Sequence, residues 1–445
     1  MLFTNKSSVN LGESTEGLPA LGFNVARYNI GGSGSNVIDD SGTEIAMKTS
    51  ESMPAFKTIE TFWLDWINKD PTSTSWNWSL DAKQRAMLKL ASDRGVDVLE
   101  AYSNSPPWWM TNNLATAGGD DGTADNLQAS YKESFALYLA TVVSEAKKNW
   151  GVNFAYVSPF NEASSRAWKF PESQEACHVS IATQSEISTL LRKQLDTLGL
   201  QDVLISGAEE KNPETSLYTL TTMIQDGLSG YDSIRKFNVH GSDGLTPYAG
   251  TGRDKLFGLS SQQKLIWDSQ YADEDATGLT LAENIARDIN EMRATAFVYR
   301  QAFDSGVVGL IQSNPWDNWI GTANAKYYVM AHYSRHIRPG MIILNPPLQD
   351  PLTVVAYDKA AKVLVLVASN PGEAQTNTIN LEDVSYVYGP VNAWTTETAD
   401  GGVRYKTSSY DISFGVSTRF TVDFPAASIM TFEIHGAELT ATVTL

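Results

Sequence analysis

From about Leu21 to Arg335, short apolar runs alternate with stretches whose apolar residues recur at helical spacing. Runs of this kind read as strands buried on both faces, and the 3.6-period stripes between them as covering helices. Strands are predicted near 23–29, 97–102, 154–159, 203–207, 236–240, 264–269 and 308–312. Helices are predicted over 80–94, 129–150, 185–198, 217–226, 281–304 and 325–335. The fifth of these aligns Ala282, Ile285, Ile289 and Met292 as a buried stripe. Such alternation builds an α/β fold, here a TIM-type (β/α)8 barrel in which one of the eight strands is not evident. From Gly340 onward helical periodicity ends. Short alternating segments follow at 353–358, 362–369, 376–381, 391–396, 419–424, 428–434 and 438–445, separated by turns such as Asn370-Pro371-Gly372 and Asp400-Gly401-Gly402. They predict an all-β sandwich. The expected division is a barrel domain over 1–338 and a side domain over 339–445, to which N-terminal residues can contribute.

Two features move attention to the barrel's C-terminal rim, where barrel chemistry sits. The connections 31–80 and 103–128 are long, and loops of that length in a compact fold usually carry function. Several predicted strands also end in polar or aromatic groups. Tyr156-Val157-Ser158-Pro159-Phe160 runs into Asn161-Glu162, Arg27 lies near the end of the first strand, His240 ends the fifth, and Trp267-Asp268-Ser269-Gln270-Tyr271 ends the sixth. An Asn-Glu pair alone reads as a helix start with a solvated carboxylate. Gathered with an Arg, a His and rim aromatics, it suits sugar cleavage: Glu162 can protonate a glycosidic oxygen, and Asn161 can hold a ring hydroxyl. Twelve Trp and 18 Tyr in 445 residues supply ring faces on which sugars stack.

Composition narrows the classes. The formal net charge of −18 disfavours nucleic-acid and anionic-membrane partners and polyanionic substrates. Cys177 is the single cysteine, so no internal disulfide forms; metal-ligand spacing is lacking, and no cofactor is implied. No apolar run reaches membrane-spanning length. Met1–Asn10 lacks an apolar signal core, which reads as a cytosolic chain or one that begins after processing. Asn5-Lys6-Ser7 and Asn77-Trp78-Ser79 fit glycosylation acceptors and lend slight weight to export. A secreted monomer acting on a polysaccharide or oligosaccharide is the expectation.

Five motifs in order, Arg27-Tyr28-Asn29-Ile30-Gly31, Ser105-Pro106-Pro107-Trp108-Trp109-Met110, Ser158-Pro159-Phe160-Asn161-Glu162, Ile266-Trp267-Asp268-Ser269 and His332–Gly340, resemble glycoside hydrolase family 30. Trp108-Trp109-Met110, Asn112-Asn113 and Gln174-Glu175-Ala176-Cys177 look most like its fungal endo-β-1,6-galactanase branch. The resemblance implies a retaining endo-hydrolase with a barrel and a β-sandwich. Glu162 is then the acid/base and Asn161 a binder of the hydroxyl beside the anomeric carbon. Arg27 and His240 orient and charge-tune the nucleophile, Trp109 and Trp316 stack on sugars, and Tyr271 reaches substrate or Glu162. The family's nucleophile follows Trp-x-Ser, and there this chain carries Gln270. A neutral amide is a very poor nucleophile, so the chain as given is expected to be an inactive form; Asp268, Asp273 and Glu274 are poor substitutes. The strand order is displaced by one, as if the first strand were absent, and 438–445 is a candidate to fill the gap. The alternatives are a β-1,6-glucanase or xylanase of the same family, or a carbohydrate-binding pseudoenzyme.

Overall fold

The computed structural model describes all residues except 12–16, 40, 262, 345–350, 382–383, 388, 411–418 and 441–445. Seven parallel strands form one sheet, in chain order: β1 Val25–Asn29, β2 Val98–Tyr102, β3 Tyr156–Ser158, β4 Leu204–Glu210, β5 Ile234–His240, β6 Leu265–Tyr271 and β7 Ala296–Tyr299. The sheet curls into a nearly closed barrel with β1 and β7 as its edges. Helices α1 Ala82–Ser92, α2 Lys132–Glu145, α3 Ile181–Thr197, α4 Pro213–Gln225, α5 Gly252–Ser260, α6 Leu279–Asn290 and α7 Ala325–Ser334 follow the strands. Asn212 caps α4 through its side chain, with Pro213 at the first helical position.

The last part of the barrel departs from expectation. The helix predicted over 281–304 stops at Asn290, and Ala296–Tyr299 supplies the seventh strand. Arg293 turns the chain there with φ +57°. The segment expected as that strand, 308–312, contributes instead to β9 (Ile311–Asn314) of a small sheet with β8 (Phe303–Asp304) and β10 (Trp319–Ala323).

The side domain is a six-stranded sheet of Ile342–Leu344, Thr353–Asp358, Val363–Asn370, Ser428–His435, Val391–Glu397 and Lys406–Tyr410. Two ribbons, Gln375–Asn380 with Arg419–Phe424 and Val384–Tyr386 with Glu438–Leu439, accompany it. Phe420, Phe424 and Phe432 meet in its core. Glu438–Leu439 therefore belongs to the side domain and does not complete the barrel; residues 441–445 of that candidate lie outside the described residues.

Tyr271, α6 and α7 share an apolar cluster with Val354, Val365, Val367 and Ile429 of the β-rich part. His332 of α7 bridges this contact, its ring nitrogens 2.8 and 2.9 Å from the hydroxyls of Thr431 and Thr396. Burial keeps His332 neutral, its pKa well below the usual imidazole value. The unfolded chain then binds a proton here that the folded chain does not. Stability is full above the unfolded pKa of about 6.5 and falls as pH drops below it. Thermal melts from pH 8 to 5 are expected to show a falling midpoint, and His332→Gln a lower midpoint at pH 8 with a shallower slope.

Candidate active site

The barrel interior alternates with the pleat, so every second residue of a strand faces inward. These positions are strongly polar. Arg27 of β1 donates through Nε to Glu100 of β2 and through Nη2 to Glu209 of β4, each at 2.8 Å. Its Nη1 reaches the Ser269 carbonyl of β6 at 3.0 Å, tying β1 across to β6. Lys236 of β5 lies on Glu100 at 2.8 Å, with its ammonium 3.2 Å from the ring centre of Trp267. Burial lowers the Lys236 pKa to about 8, with Glu100 working against that shift. Gly31 and Gly32 follow β1 because the rim is crowded: a Cβ on either would stand 2.3 Å from the Ile59 or Pro106 carbonyl oxygen.

Above this layer lies a carboxylate–imidazole–carboxylate line. His240 Nδ1 is 2.9 Å from Glu162 Oε1, and its Nε2 is 3.3 Å from Glu209 Oε1. Burial alone would lower the His240 pKa, but the bonds to Glu162 and Glu209 outweigh it and the pKa is raised, which favours the protonated ring between the two carboxyl groups. Glu209 is wholly buried and also accepts from Ser158, Asn238 and Ser269. Burial would raise its pKa; Arg27 and His240 win, and it stays ionised well below the usual carboxylate range. Arg27, Lys236 and His240 thus face the carboxyl groups of Glu100, Glu162 and Glu209.

Glu162 is the member of this set that opens outward, its side chain 17% exposed and only Oε1 hydrogen-bonded among the described residues. The adjacent Asn161 is buried, and its side-chain carbonyl has no donor among the described residues. Gln270 is the cross-strand partner of His240, at a register shift that follows Asp268. Its backbone N–H donates to Asp268 at 3.2 Å, and its half-buried amide has no hydrogen bond among the described residues. Glu162 and Gln270 therefore both flank His240.

Of the neighbouring acids, Asp268 and Asp273 are committed elsewhere, and Glu274 is exposed in the loop after β6. Asp268 is buried behind β6 beside Asn284 and Asp288, and burial pushes its pKa up. Asp273 is paired with the buried Lys326 at 2.7 Å.

Arg27 and His240 converge on Glu209, which lies beyond the strand predicted over 203–207 and was not among the expected site residues. Two expectations are corrected. Trp109 is 2% exposed, donates its indole N–H to the Trp63 carbonyl and packs against Trp63, Trp66 and Tyr131; it builds the loop core rather than offering a ring to sugar. Tyr271 is fully buried against Phe297 and Tyr299, in the apolar cluster shared with the β-rich part. Trp316, by contrast, is 67% exposed and edge-on to Phe56 at 5.0 Å. Glu175 is structural: buried, it accepts from Ser33 and the Gly32 N–H, and burial pushes its pKa up to about 7.

A parallel barrel with an outward-facing glutamate and a polar, charge-balanced floor is the architecture of a barrel glycoside hydrolase. The description O-Glycosyl hydrolase family 30 matches residues 10–219. An endo-β-1,6-galactanase of Hypocrea rufa is 37% identical over 429 residues, spanning 95% of this chain and 85% of that protein. The chain belongs to glycoside hydrolase family 30. Its fold is shared with a conserved exported protein of Bacteroides fragilis (TM-score 0.72, 19% identity, 95% and 90% of the two chains). It is also shared with the catalytic domain of xylanase C of Talaromyces cellulolyticus (TM-score 0.67, 19% identity, 93% and 88%). Among the described residues no helix is long and apolar enough to cross a membrane.

Proposed function

We propose that this chain is built to bind and cleave β-1,6-linked galactan with retention of configuration, and that Gln270 leaves it able to bind but not to turn over. The observation that carries this is the placement of Glu162 and Gln270 about His240, the first hydrogen-bonded to its ring and the second paired with it across the sheet. The substrate class comes from the Hypocrea rufa relative. In the reaction Glu162 protonates the leaving oxygen while a carboxylate at position 270 attacks the anomeric carbon; Glu162 then takes a proton from water, which opens the ester. Asn161 offers its free carbonyl to the neighbouring hydroxyl. The reading includes a secreted monomer, a catalytic barrel over 1–338 and a side domain over 339–445.

A second reading, a carbohydrate-binding pseudoenzyme, is favoured by Gln270 itself. Titration of the chain with β-1,6-galactan, β-1,6-glucan and glucuronoxylan, followed by assay of Gln270→Glu on each, separates the readings. Preference for galactan with gained hydrolysis supports the first; binding without hydrolysis by either form supports the second.

The two tryptophans are expected to behave oppositely. Trp316→Ala weakens galactan binding about tenfold, the scale of one lost ring contact, and leaves the melting temperature in place. Trp109→Leu lowers the melting temperature by several degrees through lost core packing and leaves affinity near its original value. Calorimetric titration and thermal melts read both.

A further inference from the structure

Glu162 has φ +45°, in the left-handed region that a glutamate occupies only when its surroundings impose it. The groups that impose it are on the page. Its N–H donates to the Glu209 carbonyl at 2.7 Å. Its carbonyl accepts twice, from the Ser165 N–H at 2.9 Å and from the indole N–H of Trp168 at 2.8 Å. The Ser164 hydroxyl donates to the buried Glu210 at 2.8 Å. Trp168 is itself nine-tenths buried and fastened to another loop: the Gly119 N–H donates to its carbonyl at 3.1 Å, and the Phe170 N–H to the Gly119 carbonyl at 2.8 Å.

We infer that Trp168 is a positioning residue for the general acid/base, its indole N–H fixing the peptide plane from which the Glu162 side chain departs. The Ser164–Glu210 pair is the second clamp on the same turn. This rests on the reading of Glu162 as acid/base. The Ser165 bond closes a local turn that several backbone geometries satisfy. The indole comes from a separately anchored segment, so it selects one of them. His240 then needs to hold only Oε1. A shift of the carboxyl by about 1 Å costs up to about 100-fold in a proton-transfer step.

The test compares Gln270→Glu with Gln270→Glu/Trp168→Phe, which keeps a ring and removes the N–H. Two substrates divide the steps: β-1,6-galactotetraose, whose alkoxide leaving group needs a proton, and a 2,4-dinitrophenyl β-galactobioside, whose leaving group does not. The expected result is a 10- to 100-fold fall in kcat/KM on the tetraose with KM little changed, and no fall in kcat/KM on the aryl glycoside. The aryl glycoside's kcat falls and is restored by azide, which attacks the glycosyl-enzyme without a general base. Ser164→Ala is expected to give a milder version of the same split, and carries the test if the Trp168 variant does not fold. Equal losses on both substrates, or no loss on either, would overturn the inference while leaving the galactanase reading intact. Failure of Gln270→Glu to cleave either substrate overturns that reading and the inference together.

Discussion

Gln270→Glu is expected to raise β-1,6-galactan hydrolysis by roughly 10⁴-fold or more, the scale on which a covalent nucleophile acts. The side chain at 270 is half-buried, unbonded at its amide and level with His240 across the sheet, so a carboxylate of the same length enters without repacking. It would arrive beside His240, whose pKa is raised, and near Arg27, which reaches the preceding residue's carbonyl. Both favour the charged form. Three nearby acids are already committed: Glu209 is wholly buried under five donors, Asp268 lies behind the strand, and Asp273 is paired with Lys326. Reducing-end release measures the gain, and proton NMR of the first product reads the anomer. Retention requires the β-anomer first. Comparable hydrolysis by the unaltered chain would place the nucleophile elsewhere and sink the assignment of residue 270.

The barrel was legible because its strands carry apolar runs between turn signals, and because the family's motifs fall at strand ends. Glu162, His240 and Arg27 became candidates that way, and the structure brings them together through Glu209. What escaped did so for physical reasons. The segment Ala296–Tyr299 follows α6 with no Gly or Pro, so helical and strand patterns run together and only the backbone turn at Arg293 separates them. Glu209 was missed because a fully buried carboxylate is rare; it is stable only where Arg27, His240, Asn238 and two hydroxyls converge from four other strands, and that convergence is not written in local sequence. Trp109 and Tyr271 show the complementary failure. Their positions along the chain put them at the rim, but spacing says nothing of depth, and both turned inward to pack against rings from elsewhere.

Arg27→Met is expected to destabilise the fold by about 3–5 kcal/mol, since it strands buried charge that the cation had compensated. Glu100 retains Lys236, but Glu209 keeps only His240 as a charged partner. The effect has a pH signature. In the folded protein the Glu209 pKa lies below its unfolded value, with burial opposed chiefly by Arg27. That difference contributes stability above the unfolded pKa of about 4.3, and the contribution is lost as pH falls through the folded value. Without Arg27 burial prevails, the Glu209 pKa rises, and the folded variant takes up a proton that the parent does not. The deficit of Arg27→Met should therefore be greatest near pH 7 and narrow toward pH 4. Urea denaturation of both proteins across that range measures it. A constant deficit would mean that Arg27 acts through packing of its stem rather than through the charge it places on Glu209.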